Sequence, residues 1–197
     1  GGTLEGYSTE ASALLPDNRT LTRQRRYRDY QSDDISLQAD ITGKFSTGPI
    51  GHELLLGMDT YRFSISQVML RRNPSGAAPY AIDIYDPVYG QTPPTLLPNT
   101  NTYERQTNAG LYAQDQLRLG ERWRVLAGAR FDIYNQSLDN RLNGSSTSQH
   151  QTAMSPRIGV TYLASQTVSV FANASKSFRP NPGSDADGNA FSPEHGR

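Results

Sequence analysis

A ten-residue stretch, Trp123 to Asp132, changes character at every step. Its sequence, WRVLAGARFD, places Trp, Val, Ala, Ala and Phe at alternate positions, with Arg, Leu, Gly, Arg and Asp between them. Successive side chains of a β-strand point to opposite faces, so this period of two predicts a strand with one apolar and one polar face. The fold must therefore offer an apolar environment on one side and water or polar groups on the other.

Five further segments show the same alternation, at about residues 34–45, 52–66, 107–119, 154–162 and 168–175. Two residues fit their rows poorly, because Asp115 falls on an apolar row and Phe171 on a polar one. Together with the first stretch, the segments predict an all-β antiparallel sheet of about six strands, joined in sequence order as a meander.

The connections between these segments alternate in length. Short ones are predicted at 46–51, 120–122 and 164–166, long ones at 67–106 and 135–152, and the tracts 1–23 and 179–197 resemble long loops cut off by the chain ends. One end of the predicted sheet thus carries tight turns and the other carries large loops. Outer-membrane β-barrels have this asymmetry, with short periplasmic turns and longer extracellular loops.

Aromatic residues bound the apolar rows. Trp123 and Phe131 bracket one row, which spans roughly 20 Å of the membrane normal when the strand is tilted by about 40°. Phe45, Trp123 and Tyr162 all fall at the short-turn end of apolar rows. Aromatic girdles lie at the interfaces of membrane barrels, so these four residues are predicted to be lipid-interface aromatics.

The polar rows then face a hydrated barrel interior. The predicted lumen-facing charges are Arg124, Arg130, Asp132 and Arg157. The alternative is a soluble antiparallel sheet with one wet face, as in a sandwich, but a dry core would require a partner for every charge. Large loops gathered at one end favour the membrane interpretation.

Composition narrows the function. Lys+Arg and Asp+Glu both number 19, which gives no argument for a nucleic-acid partner, and the absence of cysteine excludes disulfides and thiolate metal sites. No nucleophile–base pair stands out, so no catalytic residue and no enzyme are predicted. His52, His150 and His195 are predicted to be scattered over a turn and two loops, which predicts no metal site.

Several sequence blocks resemble the barrel of TonB-dependent siderophore receptors. They are GKFSTGPIGHELLLGMD (43–59), YAQDQLRLGERWRVLAGARFD (112–132), SPRIGVTY (155–162), ASKSFRPN (174–181) and FSPEHG (191–196). The block IDIYDPVYG (82–90) further resembles the ferrichrome, or hydroxamate-type, branch of these receptors.

The resemblance implies a 22-stranded transmembrane barrel in the bacterial outer membrane, closed by an N-terminal plug that carries the TonB box. Neither the plug nor the C-terminal strand of such a barrel is recognised in residues 1–197, so the chain is expected to be a partial barrel. The implied function is TonB-dependent uptake of a ferric siderophore of hydroxamate type, with iron present only within that ligand and no cofactor. Alternatives are a receptor for haem or cobalamin, a passive porin, and a soluble β-sheet binding module.

Candidate ligand-binding residues follow from this implied function. Tyr80, Tyr85 and Tyr89 lie in the longest predicted loop, and Tyr103 and Phe178 lie near the expected barrel mouth. Tyrosine offers a flat apolar face and a hydroxyl at low entropic cost, which suits a bulky ferric chelate. The alternative is that these rings only pack the loops.

Charged residues have two predicted roles. The lumen arginines could steer an anionic chelate or pair with plug carboxylates, but salt bridges with Asp132 or Asp40 are the simpler and favoured interpretation. The basic segment RQRRYR (23–28) could contact lipopolysaccharide phosphates beside outer-membrane lipid, or could be a solvated extension of the first strand.

Overall fold

In a computed structural model of the protein, the described residues are 1–74, 80–181, 191–192 and 194–196. They form strands, turns and loops. The strands are β1 (Gly2–Leu14), β2 (Thr20–Thr47), β3 (Ile50–Arg72), β4 (Ile82–Asp83), β5 (Leu97–Leu119), β6 (Trp123–Asn140), β7 (Ser145–Leu163), β8 (Ser169–Ser175), β9 (Ser177–Arg179) and β10 (Glu194–Gly196). Within the described ranges no helix has the length and apolar character needed to cross a membrane.

The main sheet follows the order of the chain. Its strands run β1-β2-β3-β5-β6-β7-β8, with the two-residue strand β4 paired to β2, while β9 and β10 form a separate antiparallel pair. Sequential strands joined by short turns pair as neighbours, which is why the order is a meander. The prediction of an all-β antiparallel meander is confirmed.

Strand β1 corrects the expectation that residues 1–23 form a loop. It pairs with β2 in antiparallel register, from Gly2↔Ser32 to Leu14↔Leu21. The segment GTLEGYSTEASAL has no continuous apolar row, so alternation could not reveal it as a strand. The same pairing places RQRRYR inside a paired strand, opposite the residues from Gly6 to Ala11.

The predicted loop at 135–152 is also wrong. Strand β6 continues to Asn140 and β7 begins at Ser145, so the connection is a tight turn in which Gly144 has a φ of 75°. Both faces of these strand extensions are polar, which removes the period-two signal although backbone pairing continues. The tract 179–197 falls largely outside the described residues.

The short turns agree more closely with the sequence. Strand β5 ends at Leu119 and β6 begins at Trp123, which leaves residues 120–122 as predicted. The first turn narrows to residues 48–49, and the turn between β7 and β8 widens to 164–168. Gly48 and Gly120 have φ values of 60° and 61°, a left-handed conformation that glycine adopts without a steric penalty.

The described chain divides into two compact units. The first contains residues 1–33, 64–104 and 138–146, and the second contains 34–63, 105–137 and 147–197. In the first unit the buried side chains are Thr22, Gln24 and Tyr80.

Burial in the second unit is inverted relative to a soluble sheet. Asp132, Tyr134 and Gln136 are buried, and all three lie on the polar row of β6. The apolar rows are exposed instead, including Ile35, Leu37, Ile41, Leu56, Met58, Leu111, Phe131, Met154, Ile158 and Val170. A sandwich buries its apolar rows against a second sheet. No such dry interface occurs among the described residues of this unit.

Candidate functional site

The polar face of the second unit carries an ion-pair network centred on Arg130. Its guanidinium donates through Nη2 to an Asp59 carboxylate oxygen at 2.8 Å and through Nε to Asp132 at 2.9 and 3.0 Å. The amide of Asn108 donates to the same Asp132 carboxylate at 3.3 Å. Two carboxylates satisfying one planar guanidinium is a strong charge-assisted arrangement. The sequence therefore placed Arg130 and Asp132 correctly on one face, but missed Asp59 as the second partner.

Two glycines allow large side chains to cross the sheet. Arg130 of β6 passes over Gly110 of β5 to reach Asp59 of β3, and a Cβ atom at 110 would collide with the guanidinium. Similarly, the Tyr112 ring of β5 passes over Gly57 of β3, and its hydroxyl donates to Asp40 of β2.

A polar groove of about 750 Å³ lies beside this network. Its walls include Phe178 and Arg157 from the sequence predictions, together with Tyr61, Tyr112 and Lys176. The groove thus brings together aromatic rings and two exposed cations of the second unit. Such a surface can accept a flat or anionic group.

The other predicted lumen arginine lies elsewhere. Arg124 donates to the backbone carbonyls of Gly120 at 3.3 Å and Trp123 at 2.8 Å, so its guanidinium folds back on the turn. The suggested salt bridges of the lumen arginines with Asp132 or Asp40 are thus realised for Arg130 with Asp132.

The apolar face carries aromatic clusters at its short-turn end. The rings of Trp123 and Tyr162 are 4.7 Å apart, and Arg122 donates to the Tyr162 hydroxyl at 3.3 Å. Tyr162 pairs with Val170 of β8, a residue of the apolar row, and this register places the Tyr162 side chain on the apolar face. Phe131 lies further along the face, in a shallow apolar depression.

Phe45 stacks on His52, with centroids 4.6 Å apart and planes within 5°. The His52 Nδ1 atom lies 2.6 Å from a carboxylate oxygen of Asp115. This contact explains why the polar residue Asp115 is tolerated on an apolar row: its charge has a partner that is itself covered by an aromatic ring.

The histidine positions correct the sequence prediction. His52 lies in β3 and His150 in β7, rather than in a turn and a loop. His150 Nδ1 is 2.7 Å from the side-chain oxygen of Asn135. His195 belongs to β10, and its side chain lies outside the described part of the structure. The described residues contain no cluster of three or more His, Cys, Asp or Glu that could hold a metal ion.

The predicted binding loop belongs to the first unit, where its tyrosines separate into two kinds. Tyr80 is only 9% exposed, whereas Tyr85 and Tyr89 are 73% and 77% exposed. Tyr103 packs under the Arg141 guanidinium, 5.3 Å from its ring centroid. Residues 75–79 of the predicted connection 67–106, which precede Tyr80, lie outside the described residues. Loop packing thus accounts for Tyr80, while Tyr85 and Tyr89 remain accessible.

The basic segment 23–28 is engaged within the first unit. Arg26 and Arg28 form ion pairs with Glu10 at 3.1 and 3.0 Å. The Arg25 guanidinium lies 4.7 Å from the Tyr7 ring centroid, and Arg23 lies 4.3 Å from that of Tyr80. The guanidinium of Arg28 holds the pKa of the Glu10 carboxyl below its ordinary value.

Comparisons with known proteins agree with this architecture. Residues 2–197 match the model of the family "TonB dependent receptor-like, beta-barrel". The chain is 46% identical to the metal-pseudopaline receptor CntO of Pseudomonas aeruginosa, a match that covers 100% of this chain and 28% of that protein. It is 28% identical to the ferrichrome outer membrane transporter/phage receptor of Escherichia coli, over 97% of this chain and 26% of that protein.

A solved structure shows the same fold. The ferric-catecholate import receptor Fiu of Escherichia coli, in its closed form, superposes with a TM-score of 0.76 at 19% identity, covering 98% of this chain and 33% of that one. The chain spans about a quarter of the length of the curated relatives it matches. Because the family model matches nearly all of its residues, the chain belongs to the TonB-dependent receptor β-barrel family and is part of an outer-membrane protein.

Proposed function

We propose that this chain is part of an outer-membrane receptor that captures a metal chelate and takes it up with energy supplied through TonB. The observation that carries the proposal is the 46% identity, across the whole chain, to a metal-pseudopaline receptor. The inverted burial of the second unit supports a role in a membrane, since exposed apolar rows and a polar inner face suit lipid outside and water inside.

We favour a metal–pseudopaline complex as the ligand. The ferric hydroxamate predicted from the block at 82–90 is the second candidate. It is supported by 28% identity to a ferrichrome transporter and 30% identity to the ferrioxamine B receptor of Salmonella typhimurium. Both candidates are metal ions wrapped in an organic chelator, so the protein needs no metal ligands of its own. Haem, cobalamin and passive diffusion are the outcomes that would overturn both.

The exposed tip of the loop at 80–90 is the proposed capture surface. Ile84, Tyr85, Val88 and Tyr89 are all exposed there. Aromatic rings bury a large area with few rotatable bonds, which makes them efficient anchors for a bulky ligand. The groove beside Phe178 and Arg157 is a proposed second contact surface, where an anionic chelate would meet cations of the lumen.

The lipid and lipopolysaccharide contacts form a subsidiary proposal. Trp123, Tyr162, Phe45 and Phe131 would lie at lipid interfaces or along the lipid-facing surface. Arginines of the segment 23–28 already contact Glu10, Tyr7 and Tyr80. A phosphate of lipopolysaccharide would therefore have to share these guanidinium groups rather than meet unengaged ones.

The test uses the full-length receptor in cells that lack their own chelate receptors. Pseudopaline loaded with Zn²⁺, Ni²⁺ or Fe³⁺, ferrichrome, haem and cobalamin are offered separately, and uptake is measured with and without functional TonB. TonB-dependent uptake of a pseudopaline complex supports the favoured ligand, and uptake of ferrichrome alone supports the second. Uptake of haem or cobalamin alone, or uptake independent of TonB, contradicts the proposal.

A paired variant tests the capture surface. Tyr85→Ala with Tyr89→Ala should weaken binding of the chelate about tenfold or more, since truncated aromatic anchors typically cost more than about 1–2 kcal/mol. The matched control is Asn143→Ala with Ser146→Ala, which changes the exposed turn before β7 and the exposed start of that strand without removing aromatic surface. Unchanged affinity in the tyrosine pair, at equal receptor abundance, would exclude this loop as the capture site.

A further inference from the structure

Tyr80 has the environment of an anchor although it lies in a connection between strands. Its side chain is buried, its hydroxyl lies 2.7 Å from Thr9 Oγ1 of β1, and the Arg23 guanidinium covers its ring at 4.3 Å. A buried phenol with a hydrogen-bond partner and a cation over its face is held by several independent contacts. The start of the loop is therefore fixed to the strands β1 and β2.

The residues after Tyr80 are attached to the same strands. Arg23 Nε donates to the Tyr80 carbonyl at 2.7 Å, and the Ile84 amide donates to the Arg19 carbonyl at 3.0 Å. The Arg19 guanidinium pairs with the Asp83 carboxylate, and β4 adds the backbone pairs Thr20↔Asp83 and Leu21↔Ile82. Side-chain and backbone contacts thus fasten residues 80–84.

Asp83 also shapes the exposed tip that follows. Its Oδ1 atom accepts hydrogen bonds from the amides of Tyr85 at 2.9 Å and Asp86 at 3.2 Å. One carboxylate therefore both ties the loop to Arg19 and sets the turn from which the Tyr85 ring projects. The exposed ring of Tyr85 stands directly after a segment held by ion pair, ring packing and backbone pairing.

We propose that Arg19, Arg23, Tyr80 and Asp83 form a clamp that holds the loop tip in its ligand-ready conformation before the ligand arrives. This inference rests on the proposed function, because it takes the exposed tyrosines as contacts for a metal chelate. Tyr80 is then a positioning residue and not itself a ligand contact. A receptor whose loop is already ordered avoids the loss of affinity that arises when only a fraction of molecules is competent to bind.

Two arginines on the same strand provide a matched comparison. Arg23→Ala removes the cation over Tyr80 and the hydrogen bond to the loop carbonyl, whereas Arg25→Ala removes a cation over Tyr7, which lies in β1. In the full-length receptor, Arg23→Ala should speed amide hydrogen exchange at residues 82–86. It should also weaken binding of Zn²⁺-pseudopaline, or of ferrichrome if that is the ligand taken up, by about three- to tenfold. Arg25→Ala should leave both measurements unchanged.

Two further variants keep the test decisive. Tyr80→Phe deletes only the hydroxyl that meets Thr9 and should give a smaller change in the same direction, while Arg23→Lys should partly restore binding because a cation remains above the ring. Unchanged exchange in Arg23→Ala overturns the clamp. Faster exchange with unchanged affinity overturns its role in binding, and so does an equal loss of affinity in Arg25→Ala. If the parent receptor binds neither chelate, the proposed function fails, while the exchange comparison still decides whether these residues hold the loop.

Discussion

At the scale of single residues, the alternation of the sequence predicts which face of the sheet a side chain lies on, but not which residue it contacts. Ala127 was placed on an apolar row and is exposed there, and Arg130 and Asp132 were placed together on the polar row and do form an ion pair. Asp59 and Gly110 could not be recognised, because a contact across an intervening strand depends on register between segments distant in the chain. Local periodicity carries no such information.

The first residue-scale prediction concerns lipid exposure. In the full-length receptor, Ala127→Arg should destabilise the fold by about 2–4 kcal/mol, because it places a charge on the apolar face near the bilayer midplane. Denaturant unfolding in detergent or lipid measures the change. Gly128→Ser is an unsuitable control, since a Cβ atom there would lie 2.8 Å from the Ala113 carbonyl oxygen. Asn173→Arg on the polar face of β8 is the better one, and an equal cost at both sites would contradict the assignment of faces.

The second residue-scale prediction concerns the bridge over Gly110. Gly110→Ala should displace the Arg130 guanidinium from Asp59 and lower the free energy of unfolding by about 1–3 kcal/mol, because a partly buried ion pair is broken. Gly43→Ala is the matched control, since a Cβ atom at 43 meets nothing within 4 Å. The bridge is unimportant for stability if the two variants unfold at the same denaturant concentration.

At the scale of elements, the sequence identified strands only where their two faces differ. The sequence predicts the end of β5 and the start of β6 to within a few residues, because an apolar row begins at Trp123 directly after the turn between them. The strand β1 and the far ends of β6 and β7 were missed because both of their faces are polar. Backbone hydrogen bonding continues there without the contrast that sequence periodicity detects.

The pairing of β1 with β2 should loosen in acid. Arg28 lowers the pKa of Glu10 below the ordinary value of 4.5, so this ion pair contributes stability above about pH 4.5 and loses it as the pH falls through the lowered pKa. Amide exchange of β1, corrected for its intrinsic pH dependence, should therefore accelerate only as the pH falls below 4.5, the ordinary pKa of the Glu10 carboxyl. Glu10→Gln should show the faster exchange already at neutral pH and little further change. A parent protein whose β1 exchange follows the intrinsic rate down to pH 3 would contradict this role for Glu10.

At the scale of the whole molecule, the placement of polar and apolar surface decides the environment. The polar row of the second unit contains the buried residues, and its apolar rows are exposed. Family membership places the protein in the outer membrane. Composition alone could not show this, because 35% hydrophobic residues is compatible with a lean soluble domain. The proposed ligand contacts are exposed loop side chains, for which the sequence pattern predicts the chemistry but not the three-dimensional arrangement.

Neighbouring residues can report the two environments directly. The chain has no cysteine, so single substitutions can be labelled without background from this region. Leu37→Cys should react with a lipid-soluble maleimide and resist a charged one, while Gln38→Cys should show a lower ratio of lipid-phase to aqueous labelling. Leu37 and Gln38 are both exposed in the described structure. A difference between their labelling ratios therefore does not arise from burial of one of the two side chains within this chain. Identical ratios at both positions in intact outer membranes would contradict the assignment.

The side chains that cross a whole strand have a mechanical consequence. Arg130 joins β6 to β3 over β5, and Tyr112 joins β5 to β2 over β3, so each links strands that share no backbone ladder. Pulling an end strand away from a sheet ordinarily breaks only the backbone hydrogen bonds between that strand and its neighbour. Here, a force applied to β6 is also transmitted to β3 through the Arg130 guanidinium. If β3 moved along its own axis, Asp59 would lose its contact with that guanidinium. In a force-spectroscopy experiment on the membrane-embedded protein, β3, β5 and β6 should unfold together in a single step, because the Arg130 side chain links β6 to β3.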